Sequence, residues 1–281
     1  MSAAVGRDLA VHGVTLHVEL REAANPAAQP LVLLHGFTSS AASWGTYLDT
    51  FAAAGLRVIA FDLLGHGGSS APDDPERYRM ERCQEDVCSA LGMLGVGPGE
   101  AILLGYSMGG RLALYLGFSG YFRALILESA SPGLANPIER EQRCASDERL
   151  AASIERDGVA AFVAAWEQLP LFASQHVLPV EVRERLHNQR LQNQPDGLAN
   201  SLRGMGTGSQ PALYERLPAF DLPVLLLAGE LDAKFCAIAQ QMRQMLPHAS
   251  LEIVRGAGHT IHLEQPELFD THVLAFCQAC L

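Results

Sequence analysis

The chain has 281 residues and a formal net charge of −11, with 48% hydrophobic and 18% charged residues. This length allows one large domain or a domain with an insertion, and the composition is typical of a soluble globular enzyme. Because phosphate contacts require a basic surface, the negative charge argues against a nucleic-acid partner. Small anionic ligands stay possible, since a basic pocket can lie inside an acidic protein.

The N-terminal stretch MSAAVGRDLAVHG (1–13) has no basic segment followed by an apolar one, so we predict no signal peptide. No run approaches the roughly 18 apolar residues that a membrane-spanning helix needs, and we expect a cytoplasmic protein without a membrane partner. Reduced thiols are the default for the six scattered cysteines of such a protein. Cys277 and Cys280 have redox or metal spacing but lack a second pair, and we interpret them as structural.

Eight short apolar runs predict β-strands. The first two lie in LAVHGVTLHVEL (9–20), where alternation around a His-Gly turn is typical of an antiparallel hairpin. The other six are LVLLHG (31–36), RVIAFD (57–62), AILLGYS (101–107), ALILESA (124–130), PVLLLAGE (223–230) and SLEIVRG (250–256). Continuous apolar strands separated by helix-length segments indicate a parallel sheet covered on both faces. We therefore predict an α/β fold with a mostly parallel, eight-stranded sheet.

A glycine-flanked serine follows the fifth predicted strand. GYSMG (105–109) matches G-x-S-x-G between a strand and a helix, which is the context of a nucleophile elbow. Such a serine needs two backbone donors for a developing negative charge. We predict that the N–H of Met108, directly after Ser107, is one and that the N–H of Phe37, in the loop HGFTSS after the third strand, is the other.

An arginine lies four residues after this serine. On the predicted helix Arg111 shares the face of Ser107. Burying a guanidinium there costs desolvation free energy unless an anion meets it. We therefore predict that Arg111 contacts a substrate carboxylate; an internal aspartate or glutamate partner is the alternative.

The regular spacing of strands breaks between the sixth and the seventh. Residues 134–210 show helical apolar spacing and no strand-like run. The simplest interpretation is a helical cap at 134–210 inserted into a core formed by residues 1–133 and 211–281. Nine arginines fall between Arg123 and Arg203, and most of them are expected to be solvated helix charges.

An acid and a histidine follow in the order that the elbow requires. Asp232 comes after the seventh strand, in LAGELDAKF, and His259 after the eighth, in RGAGHTIH. Both therefore lie at carboxyl ends of strands, where open parallel sheets bind ligands. His262 is the competing histidine, but it begins a predicted helix, so His259 is preferred. Lys234 is interpreted as a surface charge.

These features together resemble the α/β-hydrolase superfamily. FDLLGHGGSS (61–70) is similar to the loop after the fourth strand in that superfamily, and the similarity extends from about residue 31 to the end. The fold alone leaves the reaction open, because the same scaffold carries esterases, peptidases, haloperoxidases, C–C hydrolases and lyases.

A closer resemblance is to the 2-succinyl-6-hydroxy-2,4-cyclohexadiene-1-carboxylate synthase family of menaquinone biosynthesis. The segments that carry it are GYSMGGRLALYLGF, LESASPGLANPIEREQR, FVAAWEQLPLFASQ, NQRLQNQPDGLANSLRGMGTGSQPALYERL and LAGELDAKF. The resemblance implies a lyase that eliminates pyruvate from a tricarboxylate, 2-succinyl-5-enolpyruvyl-6-hydroxy-3-cyclohexene-1-carboxylate, without a cofactor or a metal. Whether the pathway ends in menaquinone or phylloquinone is a property of the organism.

The same resemblance implies roles for particular residues. Ser107 would be the base that takes the ring proton, supported by His259 and Asp232, with Phe37 and Met108 as oxyanion donors. The residues implied to bind substrate are Tyr106, Arg111, Arg143, Trp166 and Arg190. Trp166 is almost equally plausible as a core residue of the cap.

Two other classes of function stay open at this point. One is a hydrolase of the same fold, either a C–C bond hydrolase or a carboxylesterase, which would use Ser107 or His259 to bring in water. The other is a non-catalytic small-molecule receptor that kept the fold. The expected assembly is a monomer or a weak homo-oligomer.

Overall fold

An eight-stranded sheet forms the centre of the computed structural model, which describes residues 5–25 and 27–280. Its order is β1-β2-β4-β3-β5-β6-β7-β8, and β3 to β8 run parallel to their neighbours within that group. The strands are β1 (Val5–Val11), β2 (Val14–Arg21), β3 (Pro30–Leu34), β4 (Arg57–Phe61), β5 (Ala101–Tyr106), β6 (Phe122–Glu128), β7 (Val224–Gly229) and β8 (Ala249–Val254). The predicted α/β fold with a mostly parallel, eight-stranded sheet is confirmed.

The pattern of buried residues explains why these segments are strands. All six residues of β5 and all six of β7 are buried, so both faces of the central sheet are covered. In β2 every second residue is buried instead, which is typical of a strand with one face toward solvent. The hairpin of β1 and β2 is antiparallel, as predicted, and β2 joins β4 in antiparallel register.

Nine α-helices surround the sheet in the part of the chain that the structure describes. They are α1 (Tyr47–Ala53), α2 (Met80–Met93), α3 (Met108–Gly117), α4 (Pro137–Trp166), α5 (Val180–Leu191), α6 (Pro195–Met205), α7 (Ala233–Met245), α8 (Ile261–Glu264) and α9 (Pro266–Ala279). Side chains of α1 and α9 form one apolar cluster with the sheet, and those of α2, α3 and α7 form another. Short 3₁₀ segments lie at Ala41–Trp44, Pro75–Tyr78, Pro170–Val177 and Tyr214–Ala219.

Helices α4, α5 and α6 lie between β6 and β7, where the sequence predicts a helical cap. Helix α4 begins at Pro137, and the side chain of Asn136 accepts from the N–H of Ile138 at 2.8 Å as an N-cap. Apolar side chains of α4 and α6 form a separate small core. The limits 134–210 for a cap domain stay a prediction, and residues 1–4, 26 and 281 of the predicted core lie outside the described residues.

One close approach between the cap and the core is made by backbone atoms of two glycines. Gly65, with φ +81°, follows β4, and Gly197 lies in the first turn of α6. A Cβ added to Gly197 would lie 2.4 Å from the carbonyl oxygen of Gly65, and one added to Gly65 would lie 2.6 Å from that of Gly197. Only glycine at both positions permits this approach.

The C-terminal cysteines lie in and beside the core. Cys277 is buried among the side chains that pack under α9, and Cys280 packs partly buried against the same cluster. Burial raises the pKa of the Cys277 thiol, which disfavours the reactive thiolate. Among the described residues, no helix combines the length and the apolar character that crossing a bilayer would need.

Candidate active site

Ser107 occupies the sharp turn between β5 and α3. Its backbone has φ +51° and ψ −107°, a conformation that residues with a side chain rarely adopt. The flanking glycines permit this turn, because a Cβ on Gly105 would lie 2.3 Å from Gly109 O and one on Gly109 would lie 2.3 Å from Leu34 O. The backbone N–H of Ser107 donates to Glu128 O at 2.9 Å. The turn is therefore locked between β3 and β6 with the serine side chain presented at its tip.

The three side chains predicted as a catalytic set are brought together. His259 Nε2 lies 3.0 Å from Ser107 Oγ, and His259 Nδ1 lies 2.7 Å from Asp232 Oδ2. The second oxygen of this carboxylate, Asp232 Oδ1, accepts from the N–H of Phe235 at 3.2 Å and so caps the N-terminal end of α7. With Nδ1 donating to this carboxylate, Nε2 is left to accept the serine proton. The arrangement can activate the serine hydroxyl as a base or a nucleophile.

A buried pair that the sequence reasoning missed supports the histidine loop. Both carboxylate oxygens of Glu128, at the end of β6, lie 2.8–2.9 Å from Nδ1 of His262. Ser129 Oγ donates to the carbonyl oxygen of His259 at 2.8 Å. His262, the competing histidine of the sequence, therefore ties the loop to β6. Glu128 directly follows the apolar run ALIL (124–127). A charged residue at the end of a buried strand was the signal in the sequence that could have identified this pair.

The loop after β3 places Phe37 beside the elbow. Neither the N–H of Phe37 nor that of Met108 donates to a backbone carbonyl within the described ranges. His35 fixes the loop: its Nδ1 donates to Gly36 O at 2.8 Å and its Nε2 accepts from the N–H of Leu63 at 3.0 Å. Two free N–H groups near Ser107 are what an oxyanion site requires.

Burial keeps His35 neutral and makes the fold sensitive to acid. Desolvation lowers the pKa of His35 to about 4 from the ordinary 6.5, and a backbone hydrogen bond to Gly36 opposes this shift. Between these values the unfolded chain binds a proton that the folded chain does not. Stability is therefore fully present above pH 6.5 and is lost as pH falls toward 4.

We expect His35→Gln to flatten this pH dependence. In the native protein, the free energy of unfolding should fall by on the order of 3 kcal/mol between pH 7 and pH 4 through this histidine alone. The variant should be less stable at pH 7 but should lose less on acidification. Urea unfolding at both pH values measures the difference, and equal losses in the two proteins would contradict the assignment.

A cavity of about 1110 Å³ opens over Ser107 and His259. Its walls come from α3, from α7 and from cap residues of α4, α6 and the segment around Pro170–Val177. Within the described residues, the arginine and lysine side chains that line it are Arg111, Arg143 and Lys234. A mostly apolar cavity with a few cations and a serine at its base suits a small organic anion.

Arg111 has no carboxylate partner among the described residues. Its Nη1 donates to Met205 O at 2.8 Å and to Gln210 Oε1 at 2.9 Å, both neutral acceptors. Burial, and next the charge of Arg143, lower the pKa of Arg111 to about 10, which Asp147 partly opposes. The alternative predicted from the sequence, an ion pair of Arg111 with an aspartate or glutamate of the protein, is therefore not found among the described residues. A cation destabilised in this way favours an incoming anion.

The other predicted cavity residues come from α4 and from the end of β5. Arg143, in α4, donates from Nε to Asp147 Oδ1 at 2.8 Å with its side chain 43% exposed. Trp166, at the end of α4, packs edge-on to Phe37 with ring centroids 5.4 Å apart. The hydroxyl of Tyr106 shares a 2.8 Å hydrogen bond with Thr260 Oγ1, and burial raises the pKa of this phenol. All three predicted residues line the cavity.

Arg190 is not brought to the cavity. Its Nη1 donates to Glu167 Oε1 at 2.8 Å and its Nη2 to Gln175 Oε1 at 3.3 Å, with the side chain only 10% exposed. In this structure Glu167 neutralises the guanidinium, and the role of Arg190 in binding a substrate carboxylate stays a prediction. Lys234, interpreted from the sequence as a surface charge, is exposed and also lines the cavity.

Comparisons with known proteins agree with this geometry. Residues 31–270 match the alpha/beta hydrolase family. A 2-succinyl-6-hydroxy-2,4-cyclohexadiene-1-carboxylate synthase of Salmonella agona (strain SL483) is 34% identical over 86% of this chain and 90% of its own length. A Bacillus subtilis (strain 168) protein, to which the same name is given provisionally, is 48% identical over 89% of this chain and 90% of its own.

A solved structure matches as well. The structure of MenH from S. aureus superposes with a TM-score of 0.89 and 37% identity, covering 94% of this chain and 98% of that one. The shared fold and the similarity extend over nearly the whole length of both chains. The chain therefore belongs to the 2-succinyl-6-hydroxy-2,4-cyclohexadiene-1-carboxylate synthase family, within the α/β-hydrolase fold.

Proposed function

We propose that this protein is a lyase of menaquinone biosynthesis. It eliminates pyruvate from 2-succinyl-5-enolpyruvyl-6-hydroxy-3-cyclohexene-1-carboxylate and forms 2-succinyl-6-hydroxy-2,4-cyclohexadiene-1-carboxylate. The observation that carries the proposal is a hydrogen-bonded Ser107–His259–Asp232 set in a cavity whose wall holds Arg111 without a carboxylate partner among the described residues. The family to which the chain belongs supports the choice of substrate.

The two compound names define the bond changes. The single ring double bond of the substrate joins C3 and C4, whereas the product has double bonds at C2–C3 and C4–C5. C2 therefore loses a proton, its electron pair forms C2=C3, the C3=C4 pair moves to C4–C5, and the C5–O bond breaks. The released enolpyruvate takes up a proton and becomes pyruvate. Atoms and electrons balance without water, oxidant or cofactor.

The catalytic set supplies the base for the first step. The proton at C2 is adjacent to the ketone of the succinyl group, so its removal places negative charge on that ketone oxygen. Ser107 Oγ takes the proton while its own hydroxyl proton passes to His259 Nε2, and Asp232 stabilises the imidazolium. A serine hydroxyl is a weak base and depends on this pair. The N–H groups of Phe37 and Met108 stabilise the developing oxyanion.

The cavity cations hold the substrate for this proton transfer. Arg111 lies one helical turn from Ser107 and binds a carboxylate close to C2, while Arg143 binds another from the cap side. Each charge-assisted hydrogen bond contributes roughly 1.5–3 kcal/mol net, and the fork of arginine matches a carboxylate bidentately. Tyr106 and Trp166 shape the apolar walls around the ring. Arg190 pairs with Glu167 in this structure, so the proposed contacts do not depend on it.

Pyruvate release coupled to lactate dehydrogenase tests the proposal. The preceding pathway enzyme generates the unstable tricarboxylate in situ, and spontaneous elimination is subtracted. A panel of p-nitrophenyl esters runs in parallel, and the products are analysed after reaction in ¹⁸O-labelled water. Rapid pyruvate release without solvent oxygen in the ring product is the expected result.

Other outcomes separate the alternatives. Good ester turnover with no acceleration of pyruvate release would contradict the lyase and support a carboxylesterase. Solvent oxygen in a newly formed carboxylate of a cleaved ring product would support a C–C bond hydrolase, because carboxylates, unlike the ketone of pyruvate, do not exchange oxygen with water. Tight binding of the tricarboxylate without any turnover would support a non-catalytic receptor.

We also propose that the enzyme is cytoplasmic and works as a monomer or a weak homo-oligomer. Its partner is the free small-molecule tricarboxylate, with no part for nucleic acid or membrane. The bond changes above require no redox or metal chemistry, and this chain's own acid–base groups supply every proton transfer.

A further inference from the structure

Lys234 is the single lysine of a chain that has nineteen arginines. It lies in the first turn of α7, two residues after Asp232, and lines the cavity together with Ile238 one turn later. Its side chain is exposed, and no carboxylate of the described residues lies within ion-pair distance of Nζ. The ammonium lies 5.5 Å from the ring centroid of Phe235, which packs on His259 with centroids 4.6 Å apart. Lys234 thus stands beside the catalytic set with its charge unmatched.

The position of this lysine is unfavourable for the helix itself. The N-terminal end of a helix carries partial positive charge, so a cation in the first turn of α7 loses free energy that an acidic residue would gain. The carboxylate of Asp232 already caps this helix end by accepting from the N–H of Phe235, so an anion bound at this wall would pair with the lysine ammonium rather than with the helix end. A lysine at this position is therefore better suited to a bound anion than to an empty cavity.

A count of the charged groups also indicates that Lys234 contacts a substrate carboxylate. The proposed substrate has three carboxylates, and the cavity has three cationic side chains among the described residues. Arg111 is free of carboxylate partners, Arg143 is shared with Asp147, and Arg190 is neutralised by Glu167 outside the cavity. Lys234 is the remaining cation that a third carboxylate can reach, and it lies on a different wall from the two arginines.

We propose that Lys234 binds one carboxylate of the substrate at the α7 wall of the cavity. This rests on the proposed function, because it takes the substrate to be the tricarboxylate. The contact exists before and during elimination alike. It therefore acts chiefly on substrate binding and little on the rate of the bound complex.

Variants of Lys234 test the contact through a split between KM and kcat. Lys234→Ala should raise KM for the tricarboxylate by roughly five- to tenfold and change kcat by less than about twofold. Lys234→Arg keeps the charge and should stay within about threefold of the native KM. Arg243→Ala is the matched control, since Arg243 is an exposed cation on the same helix outside the cavity, and its KM should equal that of the native enzyme.

A single lysine also permits a chemical test without mutation of the native chain. An amine-selective N-hydroxysuccinimide acetate modifies only Lys234 and the N-terminal amine. Acetylation should raise KM in the native enzyme as Lys234→Ala does, whereas reductive methylation, which keeps the charge, should not. The Lys234→Arg enzyme, which has no lysine, should keep its KM after acetylation. Saturating substrate should slow the modification.

The outcomes distinguish this inference from the proposed function. No pyruvate release by the native enzyme would overturn the function itself. Native turnover together with an unchanged KM in Lys234→Ala would overturn only the role of Lys234. A fall in kcat at unchanged KM would also overturn the binding role, because it would indicate that the lysine acts through its neighbour Asp232. Thermal unfolding midpoints equal to that of the native protein show that the exposed substitutions leave the fold intact.

Discussion

His259→Ala is expected to slow pyruvate release by roughly four to six orders of magnitude, to near the spontaneous rate. His259 Nε2 is the acceptor 3.0 Å from Ser107 Oγ, and without it the hydroxyl has no group to receive its proton. Ser107 cannot then act as a base at neutral pH. KM should change far less than kcat, because the imidazole takes part in proton transfer and not in holding the carboxylates. Single-turnover rates with in situ substrate measure the effect.

A second histidine provides the control for this substitution. His248 is exposed on the loop before β8, away from the cavity, and His248→Ala should retain the native rate. The fold of His259→Ala should be retained as judged by circular dichroism. If the variant keeps most of the native rate, His259 is not the group that activates Ser107, and the assignment of the base is wrong.

Arg111→Ala should lower kcat/KM for the tricarboxylate by roughly 10²–10³. The substitution removes the cavity cation that lies nearest to Ser107 along the chain and has no carboxylate partner in the described part of the protein. Arg111→Lys keeps the charge but loses the planar fork, so it should recover only part of the loss. Steady-state pyruvate release gives the comparison.

The matched control for the arginine lies on the cap. Arg149 is exposed on α4 and does not line the cavity, so Arg149→Ala should leave kcat/KM unchanged. Rates on a neutral p-nitrophenyl ester, if measurable, should not fall in Arg111→Ala, because such a substrate offers no carboxylate. Native kinetics of Arg111→Ala with the tricarboxylate would refute the role of this residue.

The sheet and the elbow could be predicted because their signals are local. Continuous apolar runs define strands that are buried on both faces, and glycine at 105 and 109 is required by contacts within a short stretch of chain. The order Ser107, Asp232, His259 could be predicted because each residue follows a strand end, and strand ends of a parallel sheet meet at one edge.

The pairs that involve distant parts of the chain could not be predicted. Arg190 is neutralised by Glu167, twenty-three residues away, through the packing of α5 near the end of α4. Glu128 and His262 are 134 residues apart and meet only when β6 and the histidine loop are assembled. Lys234 is exposed and also lines the cavity. The sequence pattern predicts its exposure, but it does not show that the side chain reaches the cavity.

The contact between Gly65 and Gly197 restricts how caps can be exchanged among relatives. The two backbones touch so closely that alanine at either position collides with the other's carbonyl group. A chimera that receives α6 from a relative must therefore also receive the loop after β4 from that relative. Otherwise the cap cannot pack against the recipient core. Recombination within this family should preserve the loop after β4 and α6 as one inherited unit, although Gly65 and Gly197 are 132 residues apart.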